Sequence, residues 1–182
     1  MTQSDNVYAE LVTTKYFRLW YRLGARDAYL VWWSSDQDGD GVLVDTAGKV
    51  PSFSSIAGLC AYAHGRGLDL VDEKPILHDL DSTAKWVAST EDGPPDCDNL
   101  LAAWNLFSDV FSSTAGDFDA DQSITHGVYD KLFYGGETAN NVLKPKEEPR
   151  YAPKWSHEEI GLLRETLGQG LAMFERVLVP VA

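Results

Sequence analysis

The chain has 182 residues, 44% of them hydrophobic, which suffices for one domain whose core needs no metal or disulfide framework. Its formal net charge of −13 disfavours binding to nucleic acid or to an anionic membrane surface, because both depend on Lys and Arg. The same charge suits a protein that stays soluble or that attracts a basic partner.

The two cysteines and the N-terminus predict a cytoplasmic protein. Neither Cys60 nor Cys97 has a neighbour at metal-ligand spacing. The first ten residues are polar, and no apolar run approaches the roughly 18 residues of a membrane span. We expect residues 1–14 to be a tail and residues 15–182 to be one domain, monomeric when free and without a cofactor.

The first half of the chain predicts antiparallel strands. Hydrophobic residues alternate over 15–22, as in a strand with one better-buried face. Residues 28–33 are continuously apolar, as in a central strand that is covered on both faces. The turn-forming segment 34–41 separates that strand from an apolar segment at 42–44, which indicates a β-hairpin. Shorter strands are predicted at 49–53 and 68–71.

The second half predicts helices. Ser54 or Ser55 is a suitable N-cap for a helix that begins near Ile56. Further helices are predicted at 81–88, from about residue 96 up to a polar loop at 113–121, and at 124–133. Residues 75–79 and 135–153 are interpreted as irregular connections.

The last helix is the best defined. Ser156 is followed three residues later by Glu159, which is a capping box. Gly168 and Gly170 cost roughly 1 kcal/mol each relative to Ala, so they predict close packing against a neighbour or a kink. Strands first and helices afterwards indicate an α+β fold, with an N-terminal antiparallel sheet, then helices, and a long C-terminal helix.

The hairpin loop is a candidate calcium site and a candidate contact surface. Asp36, Asp38, Asp40 and Gly41 match the start of an EF-hand loop. The twelfth position, which should carry a bidentate carboxylate, is Ala47, and the flanking segments are strands. We therefore prefer a hairpin tip that carries three acids towards a partner.

The four histidines are scattered, and the chain contains no GxSxG elbow, P-loop or GxGxxG turn. A catalytic alternative is a small hydrolase or transferase with an unrecognised site built from His64, His126 and nearby acids. A ligand-binding or calcium-binding module that uses the hairpin loop is a third class.

The acidic residues are unevenly distributed. Between Trp86 and Asp130 the chain has nine acids and no Lys or Arg. Three of the nine, Asp117, Asp119 and Asp121, alternate with small or aromatic residues in a predicted loop, where helix capping does not require them. A negative face of this kind speeds association with a basic partner.

Three segments carry a resemblance to a known family: Ala28 to Trp33, Asn99 to Asp109, and Val128 to Gly135. With them the chain resembles actinobacterial-type immunity proteins, the small cytoplasmic antidotes to polymorphic secreted toxins. Within that group it is similar to the immunity factor paired with the tuberculosis necrotizing toxin, an NAD glycohydrolase. The resemblance covers roughly residues 15–178 and consists of packing patterns, so it transfers no toxin-contacting residue.

The resemblance implies a function without catalysis. The protein would bind the catalytic domain of its cognate toxin and block access to the active site. From charge and expected exposure, we predict that the contacts lie at the hairpin tip and in the later acidic loop. The candidate partner-binding residues are Asp36, Asp38, Asp40, Asp117, Asp119 and Asp121.

Overall fold

A computed structural model of the protein describes residues 13–90, 93–114, 122–143 and 149–181. Its strands are β1 (Thr14–Leu23), β2 (Arg26–Ser35), β3 (Gly39–Val42), β4 (Val50–Phe53), β5 (Leu77–Asp79) and β6 (Leu178–Val181). Its helices are α1 (Ile56–Gly65), α2 (Leu80–Ala88), α3 (Cys97–Ser113), α4 (Gln122–Gly135), α5 (Glu137–Leu143) and α6 (His157–Val177). The predicted α+β class is confirmed.

The hairpin of β1 and β2 forms the centre of the sheet. Its two-residue turn places Gly24 and Ala25 at φ values of 62° and 58°, the geometry that matches the right-handed twist of paired strands. The carboxylate of Asp81, at the start of α2, accepts hydrogen bonds from both turn amides, at 2.7 and 2.8 Å. In β2, Leu30 and Val31 are both buried although they point to opposite faces, as predicted for a central strand.

The sheet is mixed rather than wholly antiparallel. Its order is β5-β1-β2-β4-β6, with β3 also paired to β2. Both outermost strands, β5 and β6, run parallel to their neighbours. The strand predicted at 68–71 is reduced to a single bridge between Leu70 and Tyr16, and regular pairing with β1 resumes only at β5.

Helices cover the two faces of the sheet unequally. On one face, α1 packs over Val31 and Phe53 through its buried Leu59. On the other face, α2, α3, α4 and α6 enclose the main core, which includes Leu30 and Phe107. The main core therefore lies between the sheet and the second half of the chain.

The helix caps agree with the sequence, and three elements were not predicted, of which β5 lies in the segment 75–79 that was expected to be an irregular connection. Ser55 caps α1, and the capping box of Ser156 and Glu159 at α6 is present in full. The short helix α5 lies within the segment interpreted as irregular, and β6 follows α6 directly. Among the described residues, no helix combines the length and the apolar character needed to span a bilayer.

Close packing explains one of the two glycines near the end of α6. A Cβ atom at Gly170 would collide with the ring of Phe107 on α3, with two further ring carbons at 2.9 Å. At Gly168 the nearest atom, in Val87, would lie at 3.4 Å, which is ordinary contact. Gly170 therefore sets how closely α6 approaches α3.

We expect Gly170→Ala to lower the free energy of unfolding by about 2 kcal/mol, because Phe107 must move out of a packed core. The matched control is Gly161→Ala in the same helix, where a Cβ atom would meet nothing within 4 Å. That control should stabilise the protein by about 0.5–1 kcal/mol through helix propensity. Urea denaturation measures both; equal effects of the two substitutions would contradict the packing role.

Candidate functional site

A cleft of about 580 Å³ opens between the sheet and α3. Its walls come from β1, β2, Asp40 of β3, the segment 71–76, β5, α3 and Tyr129 of α4. Its volume and its mixture of aromatic and polar residues are typical of small-molecule sites. We call this cavity the cleft.

The cleft exists because the chain leaves the edge of β1 and returns to it. Leu70 bridges to Tyr16, and Leu77 pairs with Trp20, so the intervening segment 71–76 arches away from the sheet. Arg18 holds this arch, since its Nη2 donates to the carbonyl oxygens of residues 71 and 73 at 3.1 and 2.8 Å and to Asp72 Oδ1 at 3.1 Å. The arch forms one wall of the cleft.

Asp109 is the most perturbed acid of the cleft. Its Oδ2 accepts a hydrogen bond of 2.8 Å from the indole Nε1 of Trp32, which joins α3 to β2. Burial raises the pKa of Asp109 to about 6, against the opposing effect of the Trp32 bond, and the nearby charge of Asp40 adds to the increase. Perturbed carboxyl groups in clefts are frequent at functional sites.

Two further polar groups of the cleft are held in place. Tyr129 donates its hydroxyl hydrogen to Asn105 Oδ1 at 3.0 Å. Burial lowers the pKa of His78 below its ordinary value of 6.5, so its imidazole is neutral at pH 7. At neutral pH the charge of the cleft is therefore carried mainly by its carboxylates and by the charged side chains of the arch.

A second, more apolar cavity of about 480 Å³ adjoins the cleft along α3. His78 and Asn105 line both cavities, and the second one continues to Phe133 of α4 and Val142 of α5. Asp98 also lines it, and its Oδ2 accepts a hydrogen bond of 2.8 Å from the amide of Glu137 at the start of α5. We call the two cavities together the α3 groove.

The α3 groove exposes apolar side chains. Ile76 on the arch is 80% exposed, and Val142 of α5 is 75% exposed. Phe133 is also partly open to solvent. Large apolar residues that share one groove mark interaction surfaces more often than singly scattered ones do.

Three of the six predicted contact residues belong to the described part of the chain. Asp36, Asp38 and Asp40 are exposed around the turn between β2 and β3, and Asp40 also lines the cleft. Asp117, Asp119 and Asp121 lie outside the described residues. Within the described part of the chain, no three His, Cys, Asp or Glu side chains are grouped as a metal site would require.

Of the two histidines in the catalytic alternative, the structure describes the side chain of one, His64, and it is not among the residues that line the cleft. His64 is exposed in the last turn of α1 and does not line the cleft, and the side chain of His126 lies outside the described residues. His78 lines it instead. Sequence reasoning missed His78 because its position depends on the pairing of β5 with β1.

The acidic residues between Trp86 and Asp130 that the structure describes have several different roles. Asp96 caps α3 through the amide of Asn99, and Asp98 and Asp109 line the α3 groove. Asp130 is exposed on α4. Part of the predicted negative face is therefore helix capping, and part faces the groove.

Comparison with known proteins supports the fold alone. No family model and no curated protein sequence match the chain. Among solved structures, the crystal structure of the SatS C-terminal domain in complex with bromine is similar, with a TM-score of 0.52 and 15% sequence identity. The similarity covers 92% of this chain and 94% of that one. Identity this low indicates a shared fold and carries no function over.

The raised pKa of Asp109 predicts how stability depends on pH. Between the unfolded pKa of 3.8 and the folded pKa of about 6, the folded chain binds more protons than the unfolded chain. This group's contribution to stability therefore falls as pH rises through that window and stays low above it.

We expect Asp109→Asn to raise the free energy of unfolding by about 1 kcal/mol at pH 7.5, a value reduced for the partial solvent exposure of the carboxyl group. The amide oxygen of Asn still accepts the Trp32 hydrogen bond. Chemical denaturation at pH 4 should show no gain, and Asp69→Asn, outside the cleft, should match the parent chain at both pH values. An equal gain at pH 4 and pH 7.5 would refute the raised pKa.

Proposed function

We propose that the chain is an immunity protein that neutralises a cognate secreted toxin by stoichiometric binding, with the α3 groove as the centre of the contact surface. The observation that carries the proposal is the exposure of Ile76 and Val142 in a groove lined by carboxylates. Such a surface suits a partner that presents apolar anchors flanked by basic residues. The resemblance to immunity proteins supplies the class of partner.

Charge supports a basic partner. In the described part of the chain, the residues that line the groove include four acids and two basic residues, Arg18 and Lys74; the acids are Asp40, Glu73, Asp98 and Asp109. Arg18 is already committed to the arch. The groove thus carries net negative charge, in line with the charge of the whole chain.

The proposed mechanism is steric. An interface of standard size buries about 1,600 Å² in total, so a surface centred on the groove could cover the mouth of a toxin active site. For a toxin that is an NAD glycohydrolase, covering that mouth would exclude the dinucleotide. The hairpin tip with Asp36 and Asp38 would lie at the rim and contribute mainly to association rate.

A first test replaces an anchor. Ile76→Ser should weaken binding of the toxin domain encoded by the adjoining gene about tenfold or more, because the buried apolar area of the interface is lost. Ile56→Ser on α1 is the matched control, since Ile56 is a partly exposed isoleucine outside the groove. Biolayer interferometry and growth rescue on coexpression measure the effect. A harmless adjoining gene, or equal affinities of the two variants, would refute the proposal.

A second test concerns the rim. Neutralising the hairpin tip with Asp36→Asn and Asp38→Asn should slow association about two- to fivefold at low salt and flatten its salt dependence. Dissociation should change little. The control pair Glu158→Gln and Glu165→Gln removes two exposed charges from α6. If both pairs slow association equally, the effect is one of net charge and the hairpin is not at the interface.

A second candidate function is catalytic, and the perturbed Asp109 in the cleft favours it. A carboxyl group with a pKa of about 6 is suited to general acid–base chemistry near neutral pH. Stoichiometry separates the two functions: a binding protein protects only up to a one-to-one ratio with toxin, whereas an enzyme protects far below it.

A further inference from the structure

The cleft holds a partly buried carboxylate, that of Asp109, with which no cation of the described part of the chain forms an ion pair. Among the described residues, the Asp109 carboxylate receives one side-chain hydrogen bond, from Trp32 at 2.8 Å. Its charged neighbour is another acid, Asp40. A buried charge without a counter-charge costs free energy, which binding of a cation would offset.

The two cationic side chains that line the cleft in the described ranges, Arg18 and Lys74, do not fill this role. Arg18 donates to two carbonyl oxygens and to Asp72 on the arch. Lys74 also lines the cleft. Among the ion pairs of the described residues, none joins Asp109 to Arg18 or to Lys74.

The chemistry of the walls favours an organic cation over a metal ion. The described residues offer no cluster of three metal-ligating side chains. The wall beside Asp109 is aromatic. The ring centroids of Phe17 and Trp32 lie 5.2 Å apart, and Tyr129 also lines the cavity. Aromatic rings together with carboxylates are the usual surroundings of a bound guanidinium group, which stacks on rings and donates to oxygen.

We propose that the cleft is a binding site for a guanidinium group, held by the carboxylates of Asp109 and Asp40 beside the ring of Trp32. Asp109 uses one oxygen for the Trp32 hydrogen bond, which leaves Oδ1 to accept from the ligand. Of the two basic side chains, arginine matches these walls better than lysine because its cation is flat. The source we assign is an arginine side chain of the partner protein, an assignment that rests on the proposed function.

The test uses a small probe and therefore does not need the toxin. N-acetyl-arginine amide is titrated into the ¹⁵N-labelled chain, and the indole N–H resonance of Trp32, assigned with Trp32→Phe, is followed by NMR. N-acetyl-citrulline amide, which is neutral and nearly the same shape, is the matched control ligand. N-acetyl-lysine amide tests the preference for a guanidinium group.

We expect a saturable shift with the arginine probe and none with the citrulline probe. Asp109→Asn, which keeps the Trp32 hydrogen bond, should weaken binding at least about tenfold, since a charge-assisted hydrogen bond is lost. Asp40→Asn should weaken it less, and Asp69→Asn should leave it unchanged. Equal shifts with arginine and citrulline, equal affinity for lysine, or full binding by Asp109→Asn would overturn the proposal.

The two proposals can fail separately. If the arginine probe binds but the chain does not neutralise the toxin, the site stands and the proposed function falls. If the toxin is bound with unchanged affinity by Asp109→Asn and the probe does not bind, the function stands and the guanidinium site falls.

Discussion

The hydrogen bond between Trp32 and Asp109 is the contact on which the α3 groove depends. It ties the C-terminal half of α3 to β2, next to a second polar link in which the amide of Val42 donates to Ser113 Oγ at 2.8 Å. Apolar packing also holds α3, with Phe107 against Gly170. These two polar contacts therefore position α3 where the sheet ends and the cleft begins. One of them uses the carboxylate of Asp109, which lies at that point.

The elements that follow from periodicity could be predicted from the sequence. The alternation in β1, the continuous apolar run of β2 and the capping box of α6 are local signals, and each is present in the structure. β5 and β6 have three and four residues, too few to show a period. They are strands only because β1 and β4 offer them free edges, and that is information from the tertiary structure.

The site was harder to predict than the fold. Asp109 is one of nine acids in a charged stretch of the sequence, and it follows Leu106 by three residues, which places the two side chains on neighbouring positions of one helix face. The spacing is a sequence signal, whereas the burial of Leu106 is known from the structure. The role of His78 has no such signal, because its neighbours come from the arch and from α3, which are distant in the chain.

Asp109 also links stability to binding. Its charge weakens the free chain above a pH of about 6, and its removal would favour folding. Proteins tend to accept such a cost where a group is needed for function. A cation that binds only the folded chain beside the ionised carboxylate would return the lost stability and lower the pKa of Asp109 by the same interaction. Proton and cation would then compete for one carboxylate, so the acid that destabilises the free protein would be the one that strengthens the complex.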